Sequence, residues 1–205
     1  MQNNLKNKTQ TAFETLIATT AWFALILQLV LFKESIYNYF SYFTILSNLL
    51  IALSLTIELF FPSTRLAKSL SLTTTKSAIA LYILIVGLVY NFVLRGIWEP
   101  KGWQLIADNL LHVVIPVIYV IYWIIFTPKN TLNWKNGISW SYFPLLYLAY
   151  SLIRGHFVAW YPYPFLNIIE FGYQKVLINS GFVVLAFIIF ALAMIGFNKI
   201  GSTKK

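Results

Sequence analysis

Apolar positions in this chain come in long unbroken runs rather than alternating one by one with polar residues. Six runs are long enough to matter, at about residues 14–32, 42–61, 77–94, 109–126, 138–153 and 177–197. A bilayer core of about 30 Å is crossed by about 20 helical residues. The lack of two-residue alternation argues for helices over the strands of a membrane barrel. The fifth run is the weakest, because it is short and carries Pro144. A membrane helix tolerates proline when neighbours satisfy the freed carbonyl. The pattern therefore predicts an all-α fold: one domain over residues 1–205, a polytopic membrane protein built as a bundle of six transmembrane helices. Connections are short except for the stretch "RGHFVAWYPYPFLNIIEFGYQK". Pro162 and Pro164 forbid a continuous helix there, so it is expected to fold back onto helix ends as a cap or partly re-entrant segment, or to form an interfacial aromatic belt.

Composition agrees with the pattern. The chain is 59% hydrophobic and 10% charged, with a mean hydropathy of +0.72. A soluble domain of this length needs more charge on its surface. The net charge of +9 is distributed unevenly. Ten Lys and Arg fall at the termini and in the 62–76 and 127–137 loops, among them Lys6, Lys76, Lys204 and Lys205; the other side holds five. That bias predicts both termini in the cytoplasm, and it assigns the positive charge to an anionic lipid surface rather than to nucleic acid. Without cysteine there is no disulfide, no thiolate nucleophile and no cysteine metal site. No small-residue cleavage site precedes "FKES", so the first run reads as an uncleaved span. Heavy use of Ile, Asn, Phe, Lys and Tyr points to an AT-rich bacterial genome, and so to a multi-pass protein of a bacterial plasma membrane.

Polar groups inside the apolar runs are costly unless used. Ser41, Thr44 and Asn48 share one face of the second span, with Ser47 beside them. Asn91 and Arg95 lie four apart near the end of the third. Asp108 and His112 lie four apart in the fourth, with Asn109 between. Arg154 and His156 follow the fifth, then a stretch from Trp160 through Tyr163 to Asn167. With helices alternating in direction, these clusters fall near the outer boundary, Thr44 and His112 each one to two turns below it. Glu58 is the main exception. One outer cavity would account for the shared depth.

The chemistry such a cavity allows is nucleophilic catalysis. A hydroxyl attacks once a base removes its proton, histidine is suited to that task, and Asp108 or Asn109 could fix the ring from one turn away. Asn48, Ser47 or a backbone amide could donate to an oxyanion, and Arg95 or Arg154 could hold an anionic group. Against this stands a purely structural account. Thr44 can bond its own i−4 carbonyl, Asn48 can join helices, and the arginines can anchor at the interface. The GxSxG, HExxH and SxxK signatures are absent. No metal or other cofactor is called for by these residues.

The segments "FTILSN", "LLHVVIP" and "WYPYPFLN" resemble the androgen-induced-gene family of integral membrane proteins, and most closely its short bacterial six-span branch. The family's eukaryotic members are intramembrane threonine hydrolases of fatty acid esters of hydroxy fatty acids. The resemblance implies Thr44 as nucleophile and His112, ahead of Pro116, as base. The substrate it implies is an amphiphilic lipid ester entering from the bilayer. Two departures stand out: a His-to-Pro spacing one residue shorter, and the polar Ser47–Asn48 pair. Two other readings remain open on the residues alone. One is a lipid or small-molecule transporter or binder with Arg95 and Arg154 at its site; the other is a haem protein using His112 and His156 as axial ligands.

Overall fold

The computed structural model describes residues 7–97 and 99–200. Lys6, Lys204 and Lys205, counted above for orientation, and Trp98, between the third and fourth runs, lie outside them. Every regular element among the described residues is helical. Two compact units emerge: Met1–Lys33 with Thr44–Thr127, and Glu34–Phe43 with Pro128–Lys205.

The first unit begins with α1 (Lys8–Leu31). It starts earlier than its apolar run because Asn7 caps it, the Asn7 side chain accepting from the Thr9 amide at 3.2 Å. Thr15, Thr19 and Thr20 return their hydroxyls to carbonyls three or four residues back, which keeps them paired on an otherwise apolar rod. The short α2 (Ile36–Tyr39) belongs to the second unit. It leads into α3 (Phe43–Phe60), most of which lies in the first. The 62–76 connection holds a further helix, α4 (Arg65–Leu70), capped by Thr64. Next comes α5 (Thr73–Val89), whose last turns widen into a π segment, Tyr90–Leu94. Helix α6 (Trp103–Asn109) passes through a second π segment, Leu110–Val114, into α7 (Ile115–Phe126). The fourth apolar run is thus longer than its hydropathy suggested. Gly102, at φ 59°, turns the chain, and the turn carrying Gln104 and Asp108 is already helical.

Polar pairs between rods hold this unit together alongside its apolar core. Trp22 Nε1 donates to Thr56 Oγ1 at 3.0 Å, joining α1 to α3. Gln104 Nε2 donates to Gln28 Oε1 at 2.7 Å, joining α6 to α1. Trp123 Nε1 donates to Ser77 Oγ at 2.7 Å, joining α7 to α5. Between helices with apolar walls, such bonds add specificity that dispersion lacks. Around them Ile17, Ala21, Ile51, Leu55, Ile83, Leu111 and Ile115 are fully buried or nearly so.

The second unit contains α8 (Asn136–Val158), a 3₁₀ turn at Pro164–Leu166, and α9 (Ile168–Ile200), in which Gly172 interrupts the helical dihedrals. Asn198 fastens the 128–132 connection. Its side-chain oxygen accepts from the Thr131 and Leu132 amides at 3.0 and 3.1 Å, and its amide donates to Pro128 O at 2.8 Å. The connection after α8 folds back as expected of a cap, Trp160 and Tyr163 each presenting an edge contact to Tyr42 at 5.6 Å. Gly155 makes this return possible, since a Cβ there would collide with the Tyr161 ring. Gly155→Ala is expected to displace that ring and cost about 1–3 kcal/mol. The check is a lower unfolding midpoint with new protease cleavage confined to the 159–167 segment.

Among the described residues five helical stretches are long and apolar enough to cross a membrane: Lys8–Leu31, Phe43–Phe60, Thr73–Leu94, Trp103–Phe126 and Ile168–Ile200. The fifth predicted run forms α8, which is long enough at 23 residues. Ser139, Ser141, Ser151, Arg154 and several tyrosines make it more polar than those five.

Candidate active site

Proline chemistry builds the site. Pro116 has no N–H, so the His112 carbonyl one turn earlier loses its usual i+4 donor. The ladder there shifts to the wider i→i+5 register, with the Ile115 amide donating to Leu110 O. The third π residue is His112. On α5 the parallel shift has the Arg95 amide donating to Tyr90 O at 2.8 Å, and its first π residue is Tyr90. The two widened turns meet: the Tyr90 and His112 rings stack with centroids 4.3 Å apart and planes 14° from parallel. Gly87 admits this approach, because a Cβ there would lie 3.3 Å from His112 O and 3.2 Å from the Pro116 ring.

The imidazole is held on its other side by its own helix. His112 Nδ1 lies 2.9 Å from Asp108 O and 3.3 Å from the Asp108 carboxylate. Both neighbours only accept, so Nδ1 carries the hydrogen and Nε2 is left as the basic nitrogen. Of the two orienting candidates the ring therefore uses Asp108; Asn109 makes no side-chain hydrogen bond among the described residues.

Asn48 couples α3 to this turn. Its Nδ2 donates to Thr44 O at 2.9 Å and to Leu111 O at 3.2 Å. One amide group thus clamps the backbone turn that bears Thr44 against the residue preceding His112. Thr44 is 6% exposed and Asn48 fully buried. Both amide hydrogens of Asn48 are engaged by carbonyls, so Asn48 is not available as the oxyanion donor expected above. What it turns toward the remaining space is Oδ1, an acceptor. Ser47 Oγ is the other polar atom of that pair and remains able to donate. Ser47 Oγ, Asn48 Oδ1 and Asp108 Oδ2 are all buried without a hydrogen-bond partner. Such atoms are costly when left unmatched, and three of them border the Thr44 and His112 turns.

Asn91 and Arg95 extend the same end of the unit. Asn91 Nδ2 donates to Gly87 O at 2.7 Å, and Arg95 Nη1 donates to Asn91 Oδ1 at 3.0 Å. Arg95 itself is exposed. The remaining predicted residues, Arg154, His156, Trp160 and Tyr163, belong to the second unit. There Arg154 donates to Asn38 Oδ1 at 2.6 Å and lies over the Trp160 ring at 4.9 Å. His156 is exposed, with an edge contact to Phe157. Among the described residues no three His, Cys, Asp or Glu side chains converge as a metal site.

Two features escaped the sequence reading. Tyr90 is one, and its stacking partner depends on two helices widening in register. The other is a buried ionic cluster toward the opposite end of the first unit. Lys76, counted above as a loop charge, is the fourth residue of α5. Its Nζ lies 3.2 Å from Glu14 and 2.9 Å from Glu58 and donates to Tyr122 OH at 2.6 Å. Tyr122 in turn donates to Glu14 at 2.6 Å. A single charged residue inside each of two apolar runs, Glu14 and Glu58, with Lys76 at the edge of a third, was the available signal.

No family model matches the chain, and no curated protein or solved structure is significantly similar to it.

Proposed function

We propose that the protein is an intramembrane hydrolase of lipid esters, a bacterial relative of the androgen-induced-gene family, with Thr44 as nucleophile and His112 as base. In this reading it sits in a bacterial plasma membrane as a six-span bundle, α8 being the added span, with both termini cytoplasmic. The observation that carries the proposal is the immobilised imidazole. Asp108 fixes its tautomer, Tyr90 fixes its plane, and Asn48 fastens its helix to the turn of Thr44. A structural histidine has no need of this much orientation.

The reaction runs in two halves. Thr44 Oγ1 attacks the ester carbonyl as His112 Nε2 takes the hydroxyl proton. The tetrahedral intermediate collapses, the alcohol leaves with that proton, and an acyl-Thr44 ester remains. Water then adds to this ester while Nε2 again accepts a proton; the tetrahedral adduct collapses, that proton passes to the departing Thr44 Oγ1, and the carboxylic acid is released. Ser47 Oγ is the side-chain donor suited to the developing oxyanion. A fluorophosphonate probe tests the assignment: the wild type should be labelled and Thr44→Ala should not. Equal labelling of both sinks the nucleophile, and ligand movement across liposomes that survives Thr44→Ala favours a transporter instead.

A further inference from the structure

The second unit contains a cation that no acidic side chain among the described residues neutralises. Arg154, in the last turns of α8, has no carboxylate within ion-pairing distance among the described residues. Its guanidinium is nonetheless held firmly. One edge donates to Asn38 Oδ1 at 2.6 Å, and one face lies on Trp160 at 4.9 Å. Asn38 acts as a spacer. Its Nδ2 is given to the exposed Glu34 carboxylate at 2.8 Å, so the amide aims its oxygen at the arginine and keeps the acid one residue removed. A guanidinium carries five N–H donors in a flat fork, and among the described residues this one engages a single donor, to Asn38.

Aromatic rings collar the position. Trp160 meets Tyr42 edge-on, Tyr42 meets Tyr163 edge-on, and Tyr163 stacks on Phe165 at 5.2 Å and 6°. The Tyr42 phenol is neutral at physiological pH and does not repel an anion. A fixed, unpaired fork beside apolar ring faces matches a planar or tetrahedral oxyanion joined to a hydrocarbon chain.

We propose that Arg154, oriented by Asn38 and Trp160, is a binding site for the anionic head of an amphiphile, a carboxylate or a phosphate. The proposal does not depend on hydrolysis at His112. It also differs from simple interfacial anchoring, because an anchoring arginine needs no amide spacer and no defined ring beneath it.

The test titrates full-length purified protein with oleate, with phosphatidylglycerol, with phosphatidylcholine and with inorganic phosphate. Binding is read as the emission change that Trp160→Phe removes. Saturable binding of oleate or phosphatidylglycerol is expected, with Arg154→Gln about tenfold or more weaker. Arg154→Lys should fall between, since it keeps the charge and loses the fork. Oleate alone identifies a carboxylate ligand, phosphatidylglycerol alone a lipid phosphate, and inorganic phosphate a free anion. Asn38→Asp supplies the missing acid within the chain and should abolish binding while leaving the unfolding midpoint near wild type. Unchanged affinity in both Arg154→Gln and Asn38→Asp, or no binding of any anionic probe, overturns the proposal. So does phosphatidylcholine binding that is indifferent to Arg154.

Discussion

Thr44→Ala and His112→Ala should each lower turnover of a long-chain ester by about 10³-fold or more, with unfolding midpoints close to wild type. Groups that act as one unit give non-additive losses, so the double variant should be no slower than either single one. The two substitutions act at different atoms and separate in a second assay. Thr44→Ala forms no acyl-enzyme at all, whereas His112→Ala retains the hydroxyl and should acylate slowly with a strongly activated ester. Asp108→Asn is expected to cost less, about tenfold to a hundredfold, through the ring's orientation rather than through contact with substrate. Mass spectrometry of the intact protein after a short ester pulse reads the acyl adduct directly. An adduct on wild type that persists in Thr44→Ala overturns the nucleophile, whatever the turnover numbers show.

Hydropathy alone located five of the long helices, since uninterrupted apolar runs leave few alternatives to a helix. Its errors fall at the ends, and for a common reason. Asn7 extends α1, and the polar turn with Gln104 and Asp108 extends the fourth run. In both places side chains satisfy backbone or partner groups that a hydropathy scale counts only as unfavourable. The pairing of Asp108 with His112 was legible, because spacing by four puts two side chains on one helix face. The role of Asn48 was legible only in part. The sequence places an amide beside Thr44, but which end of that amide is free depends on the carbonyls it meets, and Leu111 O lies on another helix. Tyr90 was not legible, because its stacking requires two π turns in register. Only Pro116 hinted at one of them. The four polar clusters read as one outer group also resolve further: Thr44, Asn91 and His112 share the first unit, while Arg154 and Trp160 belong to the second.

Lys76→Met should be the most destabilising single substitution of those considered, costing about 3–5 kcal/mol. Lys76 Nζ has three hydrogens, and three partners receive them: Glu14 from α1, Glu58 from α3 and Tyr122 from α7. One ammonium on α5 therefore ties four helices together. Methionine fills most of the volume yet leaves two carboxylates, 0% and 3% exposed, without the ammonium between them. The expected cost is that of stranded charge rather than of a cavity, and the two origins are separable. Replacing a buried ion pair as a whole by apolar groups is often neutral or stabilising. The triple variant Lys76→Met, Glu14→Gln, Glu58→Leu should accordingly recover most of what Lys76→Met loses. Gln10, which donates to Glu14 at 3.0 Å, and Tyr122 can still hydrogen-bond a glutamine at position 14. Denaturant unfolding of the purified variants in one detergent is the measurement. A triple variant as weak as Lys76→Met would mean that packing of the lysine stem, not its charge, holds that end of the unit.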